Sequence, residues 1–232
     1  MSCRGNHNTS FNAVIISEPI FAEPADYAFY LEKFKVACEQ QACVIHAYVL
    51  MTNHVHLLIT PTSKAGIGKV MQRLGRYYVQ YFNYVYDRTG TLWQGRYKAT
   101  LLINSEDYLL TCMRYLELNP VRAAMVDHPA AYPYCSYAAN ARGATDPLVT
   151  PHSVYRRLGQ TPKARQAAYR SLFRTQLSAD TVSAIRESTN KAWVLGSDRF
   201  KVKIQKLTKR QASPNPRGGD RKSRAYRPIN RV

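Results

Sequence analysis

A hairpin pattern around His54, Val55 and His56 constrains the fold of this chain more than any other stretch. The chain is apolar and β-branched on both sides of a turn at residues 51–53, which predicts one strand over residues 43–50 and a second strand beginning at His54. Successive side chains of a strand point to opposite faces, so His54 and His56 share one face and Val55 lies on the other. Two imidazoles on a rigid strand are candidate metal ligands, although such pairs also serve as packing or hydrogen-bonding residues.

A second pattern lies about sixty residues downstream and predicts a helix over residues 105–118. The helix opens with a serine that can cap it and with two acidic residues in its first turn. Pro120 cannot continue the backbone hydrogen bonds, so we expect the helix to end near Asn119. Tyr115 and Asn119 are four residues apart and therefore share one helix face. The alternative interpretation is a packed tyrosine followed by an asparagine that caps the helix C-terminus.

Together these patterns resemble the HUH single-tyrosine transposases, and specifically the REP-associated tyrosine transposase branch. The resemblance rests on the histidine strand within residues 47–58, on the segment Leu-Trp-Gln-Gly-Arg-Tyr-Lys-Ala at residues 92–99, and on the helix end at residues 114–123. It extends over residues 26–142. A further segment at residues 193–197 is similar to a tail segment of the same branch.

The resemblance implies an α+β fold, in which an antiparallel sheet with flanking helices forms a ferredoxin-like or RRM-like core. It implies a divalent cation, Mg²⁺ or Mn²⁺, held by His54, His56 and the amide oxygen of Asn119. Tyr115 would form a 5′-phosphotyrosyl bond with single-stranded or hairpin DNA. The expected DNA contacts are basic or aromatic side chains: Arg73, Arg76, Trp93, Arg96, Lys98 and Arg122. A monomer is expected, with a dimer as the alternative.

The charge distribution independently favours a polyanionic partner. The chain has 33 lysines and arginines against 15 acidic residues, which gives a formal net charge of +18. Residues 1–140 carry 12 basic and 10 acidic side chains, whereas residues 141–232 carry 21 and 5. Segregated positive charge of this kind is typical of nucleic-acid-binding proteins.

The composition also bears on the compartment. Five cysteines, an odd number without a C-x-x-C pair, indicate reduced thiols. The sequence has no apolar run of membrane-spanning length and no signal-peptide pattern. We therefore expect a soluble cytoplasmic protein with no membrane partner.

The remaining patterns predict three units: a transposase domain at residues 1–142, a basic helical region at 143–207 and a disordered basic tail at 208–232. Within the first unit we expect a strand at 11–16, helices at 24–41 and 67–86, and a strand at 97–103. The core face of the second helix is expected to comprise Val70, Leu74, Tyr77, Tyr81 and Tyr84. Short helices are expected at 135–141, 153–158, 162–173, 179–188 and 197–207.

Two rival functions remain open at this point. The first is a catalytically impaired DNA-binding protein on the same fold, because residues 1–6 look like the end of the family's first strand with most of that strand missing. The second is a metal-dependent hydrolase in which Tyr115 only stabilises charge, which ranks lower because the sequence places no carboxylate or third histidine to activate water.

Overall fold

A computed structural model describes residues 10–15, 19–63, 65–93, 97–102, 106–209 and 211–214. Its N-terminal part follows the order β-α-β-β-α-β and forms one four-stranded sheet of order β2-β3-β1-β4. Every neighbouring pair of strands is antiparallel. This is the ferredoxin-like arrangement, so the predicted fold class is confirmed. The elements are β1 (Ser10–Ile15), α1 (Pro24–Gln40), β2 (Cys43–Met51), β3 (His54–Pro61), α2 (Gly66–Val85) and β4 (Lys98–Leu101).

The histidine strand β3 is an inner strand of this sheet. On one side β2 pairs with it, with Met51 opposite His54. On the other side β1 pairs with it, with Ala13 opposite His56. The strand predicted near residues 11–16 therefore lies at Ser10–Ile15, and it completes the centre of the sheet. Pairing on both sides fixes the register of β3, and with it the face to which each histidine points.

The two faces of the sheet are covered by different helices. Val55, Leu57 and Ile59 of β3 pack into a core with α1 and α2, while Leu58 packs into a second core with the helix that carries Tyr115. The predicted alternation of side chains along the histidine strand is therefore confirmed.

The buried face of α2 differs from the predicted one. Its buried residues include Val70, Leu74, Tyr78 and Phe82, whereas Tyr77 and Tyr84 are 42% and 89% exposed. The prediction was wrong for Tyr77 and Tyr84 because aromatic residues occur all round this helix and several helical periods fit them. A strict spacing of four residues places the Tyr78 ring inside the core, where its hydroxyl donates to the carbonyl of Ile20 at 2.5 Å.

The C-terminal part is helical and covers the face of the sheet opposite α1 and α2. The helices agree with the predicted ones to within a few residues, except for the four-residue helix that begins at Asn119, which was not predicted. They are α3 (Glu106–Glu117), α4 (Asn119–Arg122), α5 (Tyr137–Arg142), α6 (Ser153–Arg156), α7 (Pro162–Ser171), α8 (Ala179–Asn190) and α9 (Asp198–Thr208). Most of the predicted tail lies outside the described residues, and the division at residues 142 and 207 remains a prediction. No described helix has the length and apolar character needed to cross a membrane.

Segments of the C-terminal part also hydrogen-bond to both outer strands of the sheet. Along β2, the backbone bonds join Leu50 to Tyr134, Tyr48 to Ser136 and Ile45 to Thr150, at 2.8–3.0 Å. Beside β4, the Leu195 amide donates to the carbonyl of Leu101 at 2.9 Å, and Leu195 forms a parallel bridge with Leu102.

Candidate active site

A cavity of about 420 Å³ lies between β3, the end of α3, and α8. The side chains of His54, His56, Tyr115 and Asn119 all line it, together with Arg122. The remaining lining residues are Met51, Ala123, Arg186, Thr189 and Asn190. The structure thus brings together the four groups that the sequence presents in two separate motifs.

The histidine pair is ordered by its own strand and by the turn before it. The two imidazole rings are perpendicular, with centroids 4.9 Å apart. The Nδ1 atom of His54 lies 2.7 Å from Oδ1 of Asn53, a residue predicted only as part of the turn. Donation from Nδ1–H to this oxygen leaves Nε2 of His54 with its lone pair, which is the form that binds a metal.

The surroundings of both histidines favour the neutral imidazole. Burial lowers the pKa of His54. Burial lowers the pKa of His56 well below its usual value, and positive charge on His54, Arg122 and Arg186 lowers it further. A neutral imidazole is the ligand form, and a lowered pKa favours that form.

Tyr115 lies beside this pair near the end of α3. Its side chain is 4% exposed, and its ring meets that of His56 edge to face with centroids 5.9 Å apart. The guanidinium of Arg122 covers the tyrosine ring at 4.2 Å from its centroid. The phenol is therefore placed between an imidazole and a permanent positive charge.

Asn119 does not cap the helix that carries Tyr115. Helix α3 ends at Glu117, and Asn119 is the first residue of α4, where Pro120 occupies a first-turn position. Proline is tolerated there because a first-turn residue has no amide partner to lose. The amide side chain accordingly faces Arg122, whose Nη2 donates to Oδ1 of Asn119 at 2.7 Å. The capping alternative is therefore wrong.

The end of α3 is anchored on its other side by a buried carboxylate. Glu117 accepts hydrogen bonds from Ser136 at 2.7 Å, Asn140 at 3.0 Å and Tyr169 at 2.8 Å. Burial raises the pKa of Glu117 to about 7, and these three donors oppose the rise. The cluster joins α3 to α5 and α7, and so fixes the helix that positions Tyr115.

Helix α8 contributes Arg186, Thr189 and Asn190 to the cavity, and the sequence motifs identified none of the three. It is held against β4, where the hydroxyl of Thr100 donates to the carbonyl of Ser188 at 2.8 Å. The carbonyl of Trp193, in the segment 193–197 that resembles a tail segment of the family, also lies within hydrogen-bonding distance of this hydroxyl and shares its proton. In the sequence, the resemblance of residues 193–197 to a family tail was the one sign that the region around α8 belongs to the transposase fold.

The comparisons with known proteins agree with this geometry. Residues 14–119 match the family described as IS200-like transposases. The chain carries an IS200-like transposase domain. The family resemblance drawn from the sequence is confirmed over these residues, which form a transposase domain.

Other comparisons add one solved relative. No curated protein matches the transposase. Eight chains of solved structures match it, among them a REP-associated tyrosine transposase bound to a REP hairpin. That structure is 18% identical to the transposase, with a TM-score of 0.47, and the match covers 66% of this chain and 96% of that one.

The predicted DNA contacts are divided between the two faces of the sheet. Arg122 lines the cavity, and Lys98 adjoins it through a 3.2 Å bond to Asn190. Arg73 and Arg76 lie on α2, across the sheet, where they line a groove of about 350 Å³. Arg96 lies outside the described residues.

Trp93 also lies on the α2 side of the sheet. Its indole Nε1 donates to the carbonyl of Gly75 at 3.4 Å, and the ring packs near that of Tyr78. This half-buried position makes Trp93 partly a packing residue.

The cavity residues fit a divalent cation. Among the described residues no group of three or more histidine, cysteine or acidic side chains could hold a metal, so a site in this cavity would combine the histidine pair with another type of ligand. Asn119 is 8% exposed and lines the cavity. Its Nδ2 has no hydrogen-bond partner among the described residues, and its oxygen retains a second lone pair. Two neutral imidazoles and one amide oxygen form a mixed nitrogen and oxygen set that suits Mn²⁺ or Mg²⁺.

Proposed function

We propose that the transposase cleaves and rejoins single-stranded DNA at hairpin, REP-like sequences through Tyr115. His54, His56 and Asn119 would hold the divalent cation, Mg²⁺ or Mn²⁺. The observation that carries the proposal is the single cavity that contains these four side chains. A tyrosine, a neutral histidine pair and an amide in one cleft are the groups that phosphodiester transfer needs, since the phosphate requires both a nucleophile and charge neutralisation.

The reaction exchanges one ester for another. The Oη atom of Tyr115 attacks phosphorus and loses its proton to solvent, a P–O(Tyr) bond forms, and the P–O3′ bond breaks. The leaving oxygen takes a proton and becomes a free 3′-hydroxyl. A bound cation would supply Lewis acidity and offset the negative charge of the phosphate. Attack by another 3′-hydroxyl on the phosphotyrosine releases Tyr115 and rejoins the DNA.

The DNA substrate is supported by the distribution of positive charge. Arg122 and Lys98 lie at or beside the cavity, and we propose that they and Arg96 contact the strand near the scissile phosphate. Arg73, Arg76 and Trp93 would contact a more distant part of the hairpin, because α2 lies across the sheet. Phosphate contacts by these residues would make binding strongly salt-dependent.

The rival functions differ from the proposal in specific features. The impaired-protein alternative depended on an incomplete first strand, and β1 pairs with both β3 and β4. A hydrolase would need a base to activate water, and no carboxylate is among the described residues that line the cavity. Both observations favour the transfer mechanism.

The decisive experiment is covalent labelling with a 3′-labelled hairpin oligonucleotide from the region flanking the gene, in Mn²⁺. We expect the wild-type protein to retain the label under denaturing electrophoresis. Tyr115→Phe should form no adduct but still bind DNA, and His54→Ala should lose cation-dependent cleavage. Tyr108→Phe, on the same helix, is the matched control and should retain adduct formation.

Each rival function gives a different result in this assay. Nicking by Tyr115→Phe, or release of a free 5′-phosphate by the wild type, would indicate a hydrolase. Tight DNA binding by the wild type without any adduct or nick would indicate an impaired protein.

A further inference from the structure

Arg122 already donates a hydrogen bond to the oxygen atom of Asn119 that the cation would use as a ligand. Its Nη2 donates to Oδ1 of Asn119 and to the backbone carbonyl of Tyr115, each at 2.7 Å. The amide oxygen is the only acceptor of the Asn119 side chain. A guanidinium keeps its charge at any physiological pH, so a cation bound to Asn119 would lie beside a fixed positive charge.

Arg186 adds a second positive charge to the same cavity. It reaches the cavity from α8, and no acidic side chain is among the described lining residues to offset either arginine. An additional cation is therefore disfavoured while the cavity lacks an anion.

Arg122 also has two further hydrogen-bond donor atoms. Its Nε and Nη1 atoms are buried and have no hydrogen-bond partner among the described residues. Buried unpaired donors are costly and call for a partner. The forked donors of a guanidinium match two phosphate oxygens, so a phosphodiester would both pair with Arg122 and neutralise its charge.

We propose that Arg122 and Arg186 make cation binding conditional on the DNA phosphate. In the free protein the two guanidinium groups weaken cation binding at His54, His56 and Asn119. The phosphate pairs with the guanidinium groups, frees the oxygen of Asn119 and restores the affinity. This inference rests on the proposed function, because it takes the histidine pair and Asn119 as the cation site. By linkage, the cation must strengthen DNA binding by the same factor.

The test measures Mn²⁺ binding to the full chain through the electron paramagnetic resonance signal of the free ion. Tyr115→Phe serves as the parent, so that DNA binds without being cleaved, and titrations are run with and without a hairpin oligonucleotide. The same titrations of the oligonucleotide without protein give the Mn²⁺ bound by DNA alone. We expect the oligonucleotide to tighten binding at the protein site by a factor in the usual range of coupling, about 5–150-fold.

Two variants separate the arginines from the rest of the protein. Arg186→Gln and Arg122→Met should each tighten Mn²⁺ binding in the absence of DNA, by about fivefold or more, and reduce the gain from DNA. Arg199→Gln removes the same charge from exposed α9 and should change neither value. Arg186 is exposed, so its variant keeps the test valid even if Arg122→Met does not fold.

The outcomes distinguish this inference from the proposed function. Equal Mn²⁺ affinity with and without DNA, or unchanged affinity in both arginine variants, would overturn the coupling. If adducts still form in the labelling assay and His54→Ala still abolishes Mn²⁺ binding, only the coupling has failed. Retention of Mn²⁺ by His54→Ala, or no specific Mn²⁺ binding under any condition, would overturn the cation site and the coupling with it.

Discussion

Asn53 gives the sharpest test of how the histidine pair is prepared for a cation. Its Oδ1 lies 2.7 Å from Nδ1 of His54 and accepts a hydrogen bond from Nδ1–H, which fixes one tautomer of the ring. Replacing Asn53 with alanine removes this acceptor but no ligand. Neutral imidazole can then place its proton on either nitrogen, and the ring loses the bond that sets its orientation. We expect Asn53→Ala to weaken Mn²⁺ binding.

The size of the effect follows from the nature of this bond. A neutral hydrogen bond contributes a net of about 0.5–1.5 kcal/mol, and loss of a partner to a ligating histidine typically costs about 10–100-fold in metal affinity. Asn53 and His54 are both only half-buried, so water can partly replace the lost acceptor. We therefore expect the lower end of the range for metal affinity, which is a loss of about tenfold in Mn²⁺ affinity, or ~1.4 kcal/mol. Asn53→Asp should act in the opposite direction, because a carboxylate is a stronger acceptor and adds negative charge.

The assay is the Mn²⁺ titration at saturating oligonucleotide, in the Tyr115→Phe background. Thr52→Ala, in the same turn and exposed, is the matched control and should bind Mn²⁺ like the parent. Circular dichroism should show the same folded state for both variants. The reasoning is refuted if Asn53→Ala binds Mn²⁺ as tightly as Thr52→Ala while His54→Ala abolishes binding.

Three further predictions concern stability and DNA affinity. The buried hydroxyl of Tyr30 has no partner among the described residues, so Tyr30→Phe should raise the free energy of unfolding by about 1 kcal/mol. Tyr78→Phe should instead lower the free energy of unfolding by about 1–3 kcal/mol, because a buried carbonyl loses its donor. Urea denaturation measures both, and changes of the same sign would contradict the argument. Tyr169→Phe removes a donor from the Glu117 carboxylate and should cost about 1.5–3 kcal/mol in the same assay; an unchanged midpoint and slope would show that the bond contributes nothing. Removal of residues 215–232 should weaken DNA binding and flatten its dependence on salt, and an unchanged salt slope in fluorescence anisotropy would exclude phosphate contacts by the tail.

Local patterns predicted the two halves of the candidate site. The alternation of side chains along a strand placed His54 and His56 on one face, and the spacing of four residues placed Tyr115 near Asn119. The pairing of the two halves in one cavity followed from the family resemblance, since no local pattern specifies how a strand meets a helix about sixty residues later.

The features that the sequence did not reveal depend on tertiary contacts. The buried face of α2 is set by packing of Tyr78 against α1, and aromatic content alone could not choose between Tyr78 and its exposed neighbour Tyr77. Arg186 reaches the cavity because α8 docks on β4. The sequence around Arg186 predicted only a helix in a basic region and gave no sign that it would line the site. The bond between Arg122 and Asn119 had a local signal in their spacing of three residues, but the sequence did not show whether Asn119 capped α3 or opened a new turn.

The backbone bonds on the outer strands also bear on self-association. An uncovered outer strand presents free amides and carbonyls to which a strand of another molecule can add. Here segments around residues 134–136 and 149–150 bond to the edge strand β2, and residues 193–195 lie against the end of the other edge strand, β4. At these positions a strand of a neighbouring molecule could pair with β2 or β4 only after displacing the segment that is already bonded there. Association of two copies through these positions would therefore have to break backbone hydrogen bonds that a single molecule already makes.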